Sequence, residues 1–197
     1  MTLKQFIVQN DNSNSVILLE GKRKVAIDDR DKLKELGRIL ALQTENMIFR
    51  SGNADGADYY FSLGVAMVDK SRLQVITPYI NHRKKANLAG ETFSVDEIKL
   101  NSESIIFSKT NKKTEKLIDY YMSGKRDRHA IKASYIIRDT IKVVGADNIS
   151  PATFGIFYDD LLDPKSGGTG HTMSVCEQNK VPVIDQRDWI KWLSEKI

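Results

Sequence analysis

Short apolar segments alternate with longer segments of helical periodicity along most of the chain. In the segment 28–42, for example, Leu33, Leu36, Ile39 and Leu40 fall on one helical face. Similar helical patterns occur at 56–68, 112–123, 128–144, 169–180 and 186–197, and short buried strands are predicted at 15–20, 46–50, 72–78, 152–158 and 181–185. This alternation predicts an α/β fold, a Rossmann-like three-layer sandwich with a mainly parallel sheet.

Other parts of the chain are patterned more weakly. Residues 79–101 are expected to form a long excursion with some helix, and the run "SIIF" at 104–107 is interpreted as a further short strand. Asp28 or Asp29 is expected to cap the helix at 28–42. With no repeats and no interdomain linker, residues 1–197 are predicted to form a single Rossmann-like domain, whose excursion spans about 79–125.

A glycine-bearing turn, "RSGNADGAD", joins the second predicted strand to the second helix. Gly52 and Gly56 permit dihedrals and close approaches that a Cβ atom would block. Such a turn before a helix can aim backbone N–H groups at a phosphate or another anion. Ser51 and Asn53 can add side-chain hydrogen bonds, and Asp58 can complement the helix dipole or bond a ligand hydroxyl. The alternative is a plain strand-to-helix turn, since the pattern is neither the dinucleotide fingerprint nor a Walker A loop.

A second glycine-rich turn, "DPKSGGTGHT", also follows a strand and opens a helix. Because right-handed crossovers place the carboxyl ends of parallel strands along one edge, both turns are expected at that edge. Two such turns together predict a pocket for a nucleotide or a phosphorylated sugar. The residues predicted to bind there are Gly167, Gly168, Thr169, Gly170, His171 and Thr172.

Charge changes this picture locally. The chain carries a net charge of +4, while residues 109–132 hold eight Lys or Arg against three acidic residues, a local excess of +5. Such a patch can neutralise nucleic-acid phosphates, with Tyr120 and Tyr121 as stacking surfaces. A solvated helical face and core tyrosines are the alternatives. The weakly predicted nucleic-acid contacts are Lys112, Lys113, Lys125, Arg126 and Arg128.

Cysteine and histidine usage limits other chemistries. The single cysteine, Cys176, cannot form an internal disulfide, and a cytoplasmic location is expected. The three histidines show no metal-ligand spacing, so neither a metal nor a cofactor is predicted. No apolar run reaches the length of a membrane span, and the N-terminus lacks a signal-peptide core. Trp189 and Trp192 are expected to serve either a homo-oligomer interface or the core.

Several motifs together resemble the SLOG superfamily of DprA/Smf-like and LOG-like Rossmann proteins. "EGKR" resembles its Gly-Ser-Arg turn, "RSGNADGADYYFSLG" its second loop and helix, and "SGGTGHTMSVCEQNKVPVID" its later loop, helix and strand. The segment 126–160 also resembles small, often phage-borne DprA-like members, for which the host cytoplasm is implied. By position, the resemblance adds Gly21, Lys22 and Arg23 to the predicted nucleotide- or phosphate-binding residues.

Departures from the family pattern affect what the resemblance implies. Lys22 stands where Ser is usual and Asn53 where Gly is usual, so the ligand of these loops can differ. LOG-type phosphoribohydrolases carry a catalytic Glu in their glycine-rich motif, and Ser174 occupies that position here. A LOG-type hydrolysis of nucleotide N-glycosidic bonds would therefore need another carboxylate, with Asp58, Asp159 and Glu177 as candidates.

Three functions remain open on the sequence. The leading hypothesis is a DprA-like protein that binds a nucleotide or single-stranded nucleic acid and mediates DNA recombination, a role implied by the resemblance. The second is a protein that binds or sequesters a small nucleotide signal of the cyclic-nucleotide or ADP-ribose type in phage counter-defence. The third is the N-glycosidic hydrolase. Partners are accordingly a nucleotide or single-stranded nucleic acid, and no membrane.

Overall fold

The computed structural model describes residues 1–195 and contains one six-stranded sheet in which every paired strand is parallel. The strands are β1 (Val16–Gly21), β2 (Ile48–Ser51), β3 (Leu73–Thr77), β4 (Glu91–Ser94), β5 (Phe154–Tyr158) and β6 (Val183–Ile184), in the order β4-β3-β2-β1-β5-β6. The predicted α/β fold, a Rossmann-like three-layer sandwich, is confirmed.

Helices cover both faces of the sheet. They are α1 (Leu3–Asn10), α2 (Ile27–Gln43), α3 (Ala57–Asp69), α4 (Ser102–Ser108), α5 (Lys112–Met122), α6 (Arg128–Val144), α7 (Gly167–Gln178) and α8 (Gln186–Trp189). Short 3₁₀ turns follow at Lys70–Arg72, Lys84–Ala86 and Ile190–Ser194. None of the helices within residues 1–195 has the length and apolar content that crossing a membrane requires.

The core is divided between the two faces. On one face, Leu33 and Leu36 of α2 pack with Phe61 of α3 and with Trp189 and Trp192. Both tryptophans are buried, so their side chains belong to the core and present no exposed face to a partner. On the other face, α5 and α6 form a second cluster over β3, and α7 packs in a third cluster with Leu18 and Phe157.

Three predicted elements differ in the structure. The run 104–107 is not a strand, because Asn101 caps the amide of Ser104 and Ser108 bonds back to the carbonyl of Ser104, which stabilises α4. The excursion at 79–101 contains β4, an edge strand that pairs with β3. The closing helix predicted over 186–197 shortens to α8 and a 3₁₀ turn, and its last two residues lie outside the described range.

The start of α2 is also formed differently from the prediction. Its N-cap position is Ala26, which makes no side-chain cap, so neither Asp28 nor Asp29 caps the helix. Asp29 instead accepts hydrogen bonds from Lys32 and from the Tyr158 hydroxyl, at 2.7 Å each. The bond from Tyr158 ties the start of α2 to the end of β5. The N-terminal helix α1 was not predicted, and Thr2 and Gln5 begin it with a capping box.

Candidate functional site

The chain changes direction across the sheet between β1 and β5. After β1 it builds β2, β3 and β4 on one side, and it then crosses to build β5 and β6 on the other. Open parallel sheets bind ligands at such a switch point, outside the carboxyl ends of the strands. Two adjoining cavities lie at this edge: a small cavity of about 290 Å³ and a large cavity of about 680 Å³.

The two glycine-rich turns meet at the small cavity. Ala54 and Asp58 of the turn after β2 line it together with Gly167, Gly168 and Thr169 of the turn before α7. The loop after β1 completes the wall with Gly21, Lys22 and Arg23. Three loops that are far apart in sequence therefore converge on one cavity, and their role in binding remains a prediction.

The turn after β2 directs its backbone donors inward. The carboxylate of Asp58 accepts hydrogen bonds from the amides of Gly52 at 3.1 Å, Ala54 at 3.3 Å and Gly21 at 3.2 Å. The sequence had predicted that such amides would face an external anion. Because Asp58 is itself an anion and is buried against them, these donors are already satisfied within the chain.

The other polar residues of this turn shape the backbone. Ser51 is buried at the end of β2. Asn53 has a φ of 55° and its side-chain amide donates to the carbonyl of His82 at 3.2 Å. Asn tolerates the left-handed region better than most residues, which suits Asn53 to this position. Gly56 has a φ of 81°, and a Cβ there would lie 2.2 Å from the carbonyl oxygen of Arg23.

The N-terminus of α7 keeps its backbone donors free. The amides of Gly167, Gly168 and Thr169 donate no hydrogen bond within residues 1–195, and Ser166 makes no side-chain cap. Free amides at a helix start favour an anion, because the helix dipole adds to their partial charge. Gly170 and Thr172 are turned into the protein: a Cβ on Gly170 would lie 1.8 Å from the carbonyl oxygen of Lys165, and the Thr172 hydroxyl donates to the carbonyl of Gly168.

Two cations stand near these free amides. Lys22 forms a 3.4 Å salt bridge with Asp160, and its ammonium lies 5.5 Å from the centre of the Tyr158 ring. Arg23 is exposed, lines both cavities and forms no salt bridge with a described residue. The rim of the small cavity therefore offers an unpaired guanidinium beside free amide donors.

Below this rim lies a buried charge cluster, which we define as Glu20, Arg138, Asp139 and Lys142. The ammonium of Lys142 lies 2.5 Å from Glu20 and 2.8 Å from Asp139, and the guanidinium of Arg138 lies 2.8 Å from Asp139. Arg138 also donates to the carbonyl of Gly52 at 2.7 Å, which joins α6 to the turn after β2. None of these four residues was predicted from the sequence as part of a site. The signal of the cluster was a Glu that ends the apolar run of β1, together with charged residues between Ile137 and Val143 on an otherwise apolar helix face.

The pKa values of the two acids in the cluster, Glu20 and Asp139, shift in opposite directions. For Glu20, burial outweighs the attraction of Lys142 and raises the pKa to about 7. For Asp139, burial also opposes ionisation, but Arg138 and Lys142 outweigh it and lower the pKa. Glu20 is therefore the member of the cluster that changes its protonation near neutral pH.

The raised pKa of Glu20 predicts that stability falls as the pH rises from about 4.5 to about 7. In that window the native state holds a proton on Glu20 that the unfolded state has lost, so the contribution is full at acidic pH and is lost above the folded pKa. The loss amounts to about 3 kcal/mol on the usual conversion of pKa shifts to free energy.

Urea unfolding of the wild type and of Glu20→Gln between pH 4.5 and pH 8 would measure this loss. Gln carries no charge at any pH, so the stability of the variant relative to the wild type should rise by about 3 kcal/mol across the range. A stability difference that stays constant with pH would contradict the assignment.

The large cavity extends from this cluster toward α5. It is lined by Tyr135, Lys165 and His171, and by Lys113 of α5. The Nε2 atom of His171 lies 3.0 Å from the hydroxyl of Thr140, and burial lowers the pKa of His171, which favours the neutral ring. The cavity thus combines an aromatic ring with hydrogen-bonding and cationic groups.

A third cavity of about 550 Å³ adjoins the large one and shares Lys113 and Leu117 with it. We call it the lysine cavity, since its walls carry Lys112, Lys113, Lys116 and Lys132. The small and large cavities share wall residues, and so do the large cavity and the lysine cavity. The three cavities therefore follow one another along the carboxyl edge of the sheet and across α5.

The other residues of the predicted basic patch behave differently. Lys125 and Arg128 are exposed but line none of the three cavities. Arg126 donates to the carbonyl of Tyr121 and lies over the Tyr121 ring at 4.0 Å. Tyr121 is buried in the core, as the alternative interpretation had it, whereas Tyr120 is half-buried and its hydroxyl bonds Asp127.

The three carboxylates considered for hydrolysis are engaged in other contacts. Asp58 holds the backbone amides described above. Asp159 is buried and accepts from the amide of Lys165 at 2.9 Å. Glu177 is exposed, pairs with Lys165 at 3.3 Å and lies outside the three cavities. None of the three faces a cavity with a free carboxylate oxygen.

Comparison with known proteins identifies the fold of the chain. No protein-family model and no curated protein sequence matches it. A solved structure of DNA processing protein A (DprA) from Helicobacter pylori, described for its unique single-stranded DNA binding mode, matches with a TM-score of 0.51 at 11% sequence identity. The match covers 93% of this chain and 75% of that one. The chain therefore has a DprA-like Rossmann fold, with its carboxyl-edge cavities at the switch point of the sheet.

Proposed function

We propose that this protein binds single-stranded nucleic acid along the small cavity, the large cavity and the lysine cavity. The observation that carries the proposal is their continuity: free helix amides and Arg23 at one end lead through the large cavity to four lysines at the other. A run of cationic and amide donors of this kind matches a repeating anion, the phosphate backbone, better than an isolated one.

The charge state of the lysine cavity supports a polyanion. Lys112, Lys113, Lys116 and Lys132 are exposed and form no salt bridge with a described residue. Lys112 and Lys116 are one helical turn apart, so their ammonium groups lie on the same face of α5. Unpaired lysines of this kind are held near one another against their mutual repulsion, and a bound phosphate backbone would relieve it.

Groups in the large cavity can hold the nucleotides themselves. Tyr135 is half-buried and lines the cavity, and its ring also contacts Arg138, Tyr79 and His82. Aromatic side chains stack on unpaired bases of any sequence, and free amides at a helix start bind phosphates. The same fold in H. pylori DprA, described as a single-stranded DNA binding protein, is consistent with this use of the edge.

Salt titration of strand binding tests the proposal. A fluorescein-labelled oligo(dT) should bind. Its log Kd should rise linearly with the logarithm of the salt concentration, which means that binding weakens as salt is added. Because each phosphate contact on a single strand contributes a slope of about 0.7, contacts by Arg23 and the four lysines predict a total slope of about 3 to 4. Fluorescence anisotropy at several salt concentrations measures the slope. No binding at low salt would overturn the proposal.

A further inference from the structure

A fourth cavity, of about 520 Å³, lies where the chain leaves the carboxyl ends of β3 and β4. We call it the isoleucine cavity, since Ile80 and Ile131 line it together with Tyr79 and Tyr121. Ile80 is 50% exposed and Ile131 is 44% exposed, so both present apolar surface to the solvent. Exposed apolar side chains that gather around a concave site, with a few polar groups among them, are typical of a binding site.

Asp96 and Arg126 add opposite charges to these apolar walls. The Oδ2 atom of Asp96 accepts a hydrogen bond from the amide of Ile80 at 3.2 Å, which holds the carboxylate at the cavity. The guanidinium of Arg126 lies 4.0 Å from the centre of the Tyr121 ring, and within residues 1–195 only its Nη1 atom donates hydrogen bonds. Neither charge forms a salt bridge with a described residue. The cavity therefore offers a carboxylate acceptor and guanidinium donors to a ligand.

This combination of groups limits the chemistry of the ligand. The charge of Asp96 repels a phosphate, and a purely apolar group would cover both charges without giving either a hydrogen bond. Guanine carries two adjacent N–H donors, N1–H and the N2 amine, which match a carboxylate. It also carries two adjacent acceptors, O6 and N7, which match a guanidinium. Its flat ring can pack against apolar and aromatic walls. Guanine thus satisfies every group that lines the cavity.

We propose that the isoleucine cavity binds a guanine base, with N1–H and the N2 amine donating to Asp96 and with O6 and N7 accepting from Arg126. The inference rests on the proposed function and deepens it by assigning a base preference to the bound strand. Tyr135 lines the large cavity, and the centre of its ring lies 6.3 Å from that of Tyr79 in the isoleucine cavity. A pair of contacting aromatic rings therefore separates this site from the path of the strand.

Two sources can supply the base: a guanine within a strand and a free guanine nucleotide. Anisotropy titrations on the full chain would compare oligo(dT) with strands that carry one central deoxyguanosine, deoxyinosine or 7-deaza-deoxyguanosine. Deoxyinosine lacks the N2 amine, and the 7-deaza base lacks the N7 acceptor. We expect the deoxyguanosine strand to bind about tenfold more tightly than oligo(dT), and each analogue to lose much of this gain. Calorimetry with guanosine and inosine 5′-monophosphate makes the same comparison for the free nucleotide.

Variants assign each contact to one residue. Asp96→Ala should abolish the difference between deoxyguanosine and deoxyinosine, and Arg126→Met should abolish the difference between deoxyguanosine and its 7-deaza form. Glu97→Ala and Arg128→Met are the matched controls, since both residues are exposed and line none of the four cavities. The controls should keep both differences. Differences that survive in Asp96→Ala and Arg126→Met would overturn the assignment.

The same measurements separate this inference from the proposed function. If oligo(dT) binds the wild type with the expected salt slope, but neither the strands nor the mononucleotides show a preference for guanine, the guanine site alone is overturned. The apolar walls would then suit a side chain of a protein partner instead. If no strand binds at low salt, but guanosine 5′-monophosphate binds more tightly than inosine 5′-monophosphate, the proposed function alone is overturned.

Discussion

Exchange of Lys112, Lys113 and Lys116 for glutamate is expected to weaken single-strand binding on the order of a hundredfold at about 0.1 M salt. Each exchange removes one phosphate contact and places a like charge beside the backbone. The salt slope should also fall by about 2, because each contact on a single strand contributes about 0.7. Anisotropy titrations with oligo(dT) measure both quantities.

A charge-matched control variant separates the effect of where the lysines lie from the effect of the protein's net charge. Lys4, Lys84 and Lys85 are exposed and line none of the three cavities, so their exchange for glutamate changes the total charge equally. If binding depends on the lysine cavity, this control should bind nearly as well as the wild type. Equal weakening in both variants would mean that only overall charge matters, and the assigned path would be wrong.

Replacement of Lys142 by Met is expected to destabilise the fold by about 3–5 kcal/mol, the cost of removing one member of a buried ion pair. Lys142 is buried between Glu20 and Asp139, and its loss leaves Glu20 without a cationic partner in contact. Asp139 still has its salt bridge to Arg138 in this variant, so most of the lost stability comes from the unpaired Glu20. Urea unfolding monitored by circular dichroism measures the change.

Lys132→Met provides the matched control, since Lys132 is an exposed lysine on the same helix. Surface substitutions of this kind usually change stability by no more than about 0.5 kcal/mol. A similar small effect for Lys142→Met would show that the cluster does not depend on this ammonium group. In that case Glu20 would be held neutral by burial alone.

Local sequence patterns predicted most helices and buried strands because their signals are repeated over many residues. The apolar face of 28–42 and the apolar runs of β1 and β5 agree with the structure. Predictions for short segments were wrong because such segments are too short to repeat a signal. "SIIF" is too short to show a period, and Asn101, just before it, begins a helix by capping. β4 is an edge strand with two exposed residues, Glu91 and Thr92, so it lacks an apolar run.

The meeting of the two glycine-bearing turns at one sheet edge was predicted, but the direction in which their amides point was not. Two glycine-rich strand-to-helix turns can be recognised in the amino-acid sequence. Parallel strand topology places both turns at one edge of the sheet. Which of their amides face outward depends on Asp58, whose carboxylate satisfies Gly52 and Ala54 from within. Residue spacing does not distinguish an Asp that complements a helix dipole from one whose carboxylate accepts hydrogen bonds from the amides of the turn.

The sequence by itself determined the layered α/β architecture, the strand-end location of the glycine turns and the excess of lysine on α5. These follow from periodicity, turn chemistry and composition, which act over a few neighbouring residues. Only the tertiary structure decided that Glu20 and Lys142, 122 positions apart, form a buried ion pair with one carboxylate oxygen left over. Burial and partner geometry set that outcome, and both depend on how β1, α6 and α7 pack together.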